Sequence, residues 1–310
     1  MRRTAPASIL AEVTGKSAAA SLDSRTVTIL LVAITTWSSA FPVISFGLEH
    51  FTPGELSFLR FLIASACFAV LIAMRVIRLP PRRDWPAIAL LGAIGIAAYQ
   101  LLLGYAMTRV AAGAASILIA LSPAVTAALA AWRLGERVST RMLIGLIVAF
   151  AGAVSVSLGS GSEFRFEPMA LLIFGSVLAT SVYFVWQKPL LARTSSLSFT
   201  AASIIAGTVV LAPFGLELPS KLVSAPASQL AAAAWLGLAP SFVGYLLWNL
   251  ALSRAPASRV SMFLYLQPVI STGIAWFWLG QVPLPATVIG GVILLLGVVL
   301  GNSKPSASPE

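Results

Sequence analysis

Residues 105–136, YAMTRVAAGAASILIALSPAVTAALAAWRLGE, and residues 250–281, LALSRAPASRVSMFLYLQPVISTGIAWFWLGQ, align without a gap at a separation of 145 positions. Arg109 falls on Arg254, Ser116 on Ser261, Leu121 on Leu266, Pro123 on Pro268, Leu134 on Leu279 and Gly135 on Gly280. The same shift carries Gly92 onto Gly237, Gly145 onto Gly290 and Gly152 onto Gly297. Apolar residues coincide by chance in apolar helices, but prolines and glycines in one register do not. The chain is therefore a tandem duplication.

Working outward from that register, apolar runs of about 17–25 residues alternate with short loops, at 27–47, 54–75, 86–107, 110–133, 140–158, 168–188, 198–214, 228–252, 257–279 and 284–302. A helix needs roughly 20 residues to cross the hydrocarbon of a bilayer, whereas barrel strands need about ten. The composition agrees: 58% of the 310 residues are hydrophobic and only 10% are charged, against roughly 25% charged in soluble domains. Prolines at 53, 86, 168 and 285 stand at the starts of runs, where a missing N–H costs nothing. The expected architecture is all-α and integral to the membrane. Ten transmembrane helices form two five-helix repeats, 27–159 and 168–302. A polar cytoplasmic tail over 1–26, an outer linker over 160–167 and a cytoplasmic tail over 303–310 complete the chain.

An odd number of spans per repeat inverts the second copy. Basic residues test this. With the N-terminus inside, 16 of the 20 lysines and arginines fall on inner segments and three, Arg109, Arg165 and Lys221, fall outside, with Arg60 inside the second span. That split obeys the positive-inside rule, places both termini in the cytoplasm and explains the net charge of +10 by topology rather than by nucleic acid. The loop after Gly135 carries Glu136, Arg137 and Arg141, whereas its counterpart after Gly280 carries no charge. Inverted repeats are a recurring basis of secondary transport, with the site between the halves near the midplane.

The sequence resembles the EamA-type members of the drug/metabolite transporter superfamily. The resemblance rests on Trp37-Ser38-Ser39-Ala40-Phe41-Pro42, on Phe58-Leu59-Arg60-Phe61, on the proline of each fourth helix, and on Leu134-Gly135-Glu136 followed by Gly145 and Gly152. It covers residues 27–302 and departs at Gln281, where the family often has an acid. It implies a central cavity between the repeats and solute export across a bacterial inner membrane. Within the family the sequence is most similar to amino-acid exporters, including the aromatic amino-acid exporters of the YddG type. The expected partners are an amino acid and the lipid bilayer, with no cofactor and no nucleic acid. Export of another metabolite class, a nucleoside or sugar derivative, and a solute channel are the alternatives.

Polar side chains inside spans face a cavity or another helix, because hydrocarbon satisfies none of their hydrogen bonds. The candidate substrate-binding residues are Trp37, Tyr99, Gln100, Ser122, Tyr183, Gln187, Trp248, Asn249, Tyr265 and Gln267. Amides and hydroxyls can hold an ammonium and a carboxylate, and aromatic faces can hold a cation or stack on a ring. Trp85, Trp186 and Trp248 also suit interfacial anchors. Pro123 and Pro268 are candidate hinges, because a proline frees a carbonyl one turn earlier. Arg60 snorkels, pairs with Glu55, or faces the cavity and meets a carboxylate; the first two are the plainer readings. No acid falls in the middle of a span, which disfavours a carboxylate proton relay. An enzyme is not expected: no metal-binding H-E-x-x-H and no phosphate-binding glycine loop occurs. Cys67 has no partner for a disulfide, and His50 is a lone loop histidine.

Overall fold

The first two helices begin on caps that the sequence supplies. Asp23 accepts a hydrogen bond from the Thr26 amide (3.3 Å) to open α1, Ser24–Gly47. The Thr26 hydrogen bonds hold the Asp23 carboxyl below its ordinary range. Thr52 and Glu55 close a reciprocal capping box around Pro53 to open α2, Pro53–Ala73. In this computed structural model, which describes residues 22–110, 115, 118–159, 168–279 and 284–303, the chain continues through α3, Arg82–Met107, α4, Ser122–Leu134, and α5, Thr140–Gly159. There follow α6, Ala170–Leu191, and α7, Ser196–Gly215, and then α8, Leu218–Ser224. The chain then runs through α9, Ala227–Arg254, α10, Ala257–Ser261, α11, Leu266–Leu279, and α12, Pro285–Asn302. Among the described residues there is no strand. Residues 1–21, 160–167, 280–283 with Gln281, and those after 303 lie outside the described residues.

Among the described residues seven helices, α1, α2, α3, α6, α7, α9 and α12, are long and apolar enough to cross a membrane, and a shorter apolar stretch, Thr140–Val156, lies in α5. Apolar side chains point outward along them, among them Leu171, Ile147 and Val299. A surface of that kind needs lipid rather than water around it.

Two expected spans are interrupted. The run read as 110–133 turns at residues 120 and 121 before α4 starts at Ser122. The run read as 257–279 tightens into a 3-10 turn, Met262–Tyr265, before α11 starts at Leu266. Each break falls just before a proline, Pro123 or Pro268, whose ring clashes with the carbonyl four residues earlier. The prolines begin helices here rather than bend continuous ones. The short helix α8 lies in what the sequence presents as a loop.

Two further helices widen rather than break. In α3 the stretch Ala93–Ala98 is π-helical, and in α9 the stretch Gly237–Gly244 is π-helical. The 145-residue shift lays one on the other. Around them the packing is crossed. Gly92 leaves room for the backbone of Ser203 and Gly207 on α7, and Gly95 for the ring of Tyr183 on α6. Gly237 sits against Ile63 and the Arg60 carbonyl on α2, and Gly244 against Trp37 on α1. Each widened segment thus receives helices from the other half of the chain.

Helices α5 and α12 meet along a glycine seam. A Cβ on Gly145 would lie 2.5 Å from the Gly301 nitrogen and 2.7 Å from the Gly297 oxygen; one on Gly152 would lie 2.7 Å from the Gly290 oxygen. As one helix climbs the other descends, so the pair is antiparallel. Small residues bring the backbones together, as at other close helix crossings in membranes.

Candidate functional site

Trp37 from α1, Arg60 from α2, Tyr99 and Gln100 from α3, Ser122 from α4, Thr180 and Phe184 from α6, Tyr245 from α9 and Gln267 from α11 surround a cavity of about 600 Å³, counting the space at its mouth. Ile44, Leu103, Ile119 and Leu264 add apolar wall. That mixture of polar, aromatic and apolar groups suits a small organic molecule. Three wall positions pair in the 145-residue register: Gln100 with Tyr245, Ser122 with Gln267, and Ile119 with Leu264. The cavity therefore straddles the line relating the two halves.

A smaller recess shares Ile44, Arg60, Gln100 and Leu103 with the cavity and runs on to Leu48, Pro53 and Met107. It leads toward the end where α1 finishes and α2 begins. The opposite side is packed with aromatic rings. Trp37 lies 4.9 Å, centroid to centroid, from Trp248 and 5.3 Å from Tyr245, and Phe184 lies 4.9 Å from Trp248. The Trp37 indole donates from Nε1 to the Pro240 carbonyl at 3.0 Å, inside the widened segment of α9.

Below the rings, polar groups bond one another. The Asn249 amide donates to the Tyr183 hydroxyl (3.1 Å) and to Thr200 Oγ1 (2.9 Å), and Tyr183 also shares a hydrogen bond with Ser203 (3.2 Å). At the far end the Glu136 carboxylate accepts from the Ala257 and Ser258 amides, at 2.8 and 3.0 Å, and from the Ser258 hydroxyl at 2.6 Å. This caps the start of α10 from the loop after α4. Lys188 Nζ donates to the Leu252 and Ala255 carbonyls, at 2.7 and 2.6 Å, where α9 ends. Arg193 pairs with Asp84. Glu136 and Asp84 both belong to the first half of the chain and grip groups of the second. Together these contacts shut that end.

Of the residues expected to bind substrate, Trp37, Tyr99, Gln100, Ser122 and Gln267 line the cavity. The other five lie off its wall. Tyr183 and Asn249 belong to the network beneath it, and Trp248 is fully buried behind Trp37 and Phe184. Tyr265 and Gln187 are buried, with the Tyr265 hydroxyl and both Gln187 amide atoms lacking a partner among the described residues. Trp248 is thus no interfacial anchor, whereas Trp85 is exposed as an anchor is.

Arg60 departs from both of its plainer readings. It is 4% exposed, so it does not snorkel, and Glu55 uses its carboxylate on the Thr52 amide at 2.8 Å. Its Nε donates to Ser241 Oγ at 2.9 Å and its Nη1 to Gln100 Oε1 at 3.3 Å. Tyr245 was legible in the repeat register as the partner of Gln100. Nothing in the sequence marks Phe184 or Thr180 as wall residues. Among the described residues no group of His, Cys, Asp and Glu could hold a metal ion.

Sequence comparison decides the family. The EamA-like transporter family matches twice, over residues 24–158 and 167–303. The chain belongs to that family. This EamA-like chain is 36% identical over 281 residues to a "Probable terminal-alkyne amino-acid exporter" of Streptantibioticus cattleyicolor, covering 91% of this chain and 94% of that protein. It is 31% identical to the "Uncharacterized transporter YdfC" of Bacillus subtilis, covering 89% and 92%. It is 23% identical to a "Probable amino-acid metabolite efflux pump" of Salmonella typhimurium, covering 87% and 92%. A solved crystal structure superposes with a TM-score of 0.73 at 22% identity, over 90% of this chain and 96% of that one, a likeness of fold alone. The EamA-like chain is thus a multi-pass membrane transporter and not an enzyme.

Proposed function

We propose that this protein exports amino acids, aromatic and neutral ones included, across a bacterial inner membrane by alternating access between two inverted five-helix repeats, 27–159 and 168–302. Both termini lie in the cytoplasm. The observation that carries the reading is the cavity wall, where Gln100 and Tyr245, Ser122 and Gln267, and Ile119 and Leu264 are equivalent positions of the two halves. A site shared so evenly can pass from one side to the other when the halves rock, because each half offers it matching groups. The crossed packing around the two π-helical segments and the antiparallel glycine seam support the inversion. The amino-acid exporters among the relatives support the substrate class.

In this orientation the cavity faces outward, and the end held by Glu136, Lys188 and Arg193 is the closed inner side. The aromatic layer of Trp37, Phe184 and Trp248 separates the two. Trp37, Tyr99, Gln100, Ser122 and Gln267 contact the solute in this state. Tyr183, Gln187, Trp248, Asn249 and Tyr265 line the path when the inner side opens. The partnerless Tyr265 hydroxyl and Gln187 amide gain hydrogen bonds in that second state. The breaks before Pro123 and Pro268 are the hinges.

Purified protein in liposomes, loaded with unlabelled amino acids and offered labelled ones, tests the reading. Saturable uptake that accelerates with solute on both sides is expected. Flux confined to nucleosides or sugars refutes the substrate class, and flux that does not saturate indicates a channel.

A further inference from the structure

We infer that Arg60 is the receptor for the carboxylate of the transported solute, so that the protein accepts carboxylic acids and discriminates against their amides. The inference rests on the cavity being the solute site. The guanidinium is buried in the cavity wall, yet its hydrogen-bond partners, Ser241 and Gln100, are both neutral. Among the described residues no carboxylate pairs with it. Glu55, the acid nearest in sequence, is engaged by the cap of α2.

A guanidinium stays charged at any pH a cell reaches and carries five N–H donors in a planar fork. Two of those donors meet Ser241 and Gln100, and the guanidinium lies 5.2 Å from the centroid of the Phe61 ring, so its contacts include no counter-charge. A cation held out of water without a counter-charge is strongly unfavourable. A protein keeps one where an anion arrives to complete it. The fork matches a carboxylate, which it can bind through two parallel bonds.

The two tethers orient the fork beforehand. Ser241 belongs to the widened segment of α9 and Gln100 to the helix just beyond the widened segment of α3. The two halves of the chain thus jointly hold one cation at the boundary between them. The 145-residue register sets Arg60 against Ile205, and Arg60 is the one cation among the described residues of the cavity wall. Among the described residues no Asp or Glu lines the cavity to oppose it. An ammonium group on the same solute meets the faces of Trp37, Phe184 and Tyr245 and the Gln267 amide oxygen instead.

Competition in proteoliposomes tests this without any variant. Labelled amino-acid uptake by the wild-type protein is challenged with L-leucine, L-phenylalanine and L-tryptophan, and with the carboxamide of each. The acids are expected to compete and the carboxamides to compete about ten- to a hundredfold more weakly, the measure of a charged hydrogen bond lost. Arg60→Lys, which keeps the charge and loses the fork, is expected to raise the half-saturation concentration about tenfold with the maximal rate retained. Arg60→Met is expected to abolish uptake while its elution volume and melting temperature stay at or above wild type. Carboxamides that compete as well as their acids overturn the role of Arg60 and leave the cavity reading standing. Uptake of uncharged sugars or nucleosides in place of every amino acid overturns both.

Discussion

Gly244 has no side chain, and the Trp37 indole fills the place one would take. A Cβ there would lie 2.6 Å from Trp37 Nε1. Gly244→Ala is expected to push the indole off the Pro240 carbonyl and into the cavity, at about 1–3 kcal/mol of stability. Uptake falls and tryptophan emission shifts; unchanged transport with unchanged emission contradicts the placement of Trp37. Asn249 invites a different test. It looks like a solute ligand in the sequence, but the structure ties it to Tyr183 and Thr200. Asn249→Leu removes both bonds from a buried site, and a loss of about 1–3 kcal/mol is expected as a lower melting temperature. Lowered transport at an unchanged melting temperature limits the role of Asn249 to solute contact in the inward-open state. Reading residues one by one in sequence could not separate these cases. A polar residue on a span looks the same whether a cavity or a neighbouring helix satisfies it. Arg60 shows the converse: nothing local told its cavity placement from a bond to Glu55.

At the scale of elements, the duplication was legible because glycines and prolines have few conformational substitutes. The widened segments were not. AIGIAA in α3 and GLAPSFVG in α9 have ordinary helical composition apart from Pro240, and one surplus residue in a helix leaves no compositional trace. Such π-helical insertions often sit at functional sites. Deleting Leu238 removes the surplus residue and lets α9 regain the α-helical repeat, which closes the widening that receives Trp37 and the Arg60 carbonyl. The variant is expected to insert, to lose the aromatic layer seen in tryptophan emission, and to lose uptake. Full activity after the deletion shows that the widening plays no part in transport. The glycine seam makes a harsher prediction. Gly297→Leu sets a side chain against the Ala149 backbone, which cannot yield as a side-chain tip can. A loss of about 3 kcal/mol or more is expected as a sharply lowered melting temperature.

For the whole molecule, one end is held by charged groups of the two halves, and among the described residues Arg60 is the only cation on the cavity wall. The buried acids Glu55 and Asp84 stand at helix starts, outside the cavity wall. Exchange between equal internal and external solute is therefore expected to vary less than about twofold between pH 6 and 8 and to survive collapse of the proton gradient, because the arginine does not titrate there. A steep pH dependence with loss of exchange on collapsing the gradient assigns a coupled proton. Membrane class was legible from composition, which is summed over many residues. Which side stands open was not, because it depends on contacts between distant segments, such as Glu136 with Ser258.

The seam between α5 and α12 carries a consequence for ancestry. Gly145 meets Gly297 and Gly152 meets Gly290, and the repeat register exchanges one pair for the other. A surface that mates with its own copy in reverse needs no second gene. A single five-helix ancestor, inserted in both directions in one membrane, could already have formed this seam as an antiparallel homodimer. Fusion then made permanent a partnership that the glycines alone had specified.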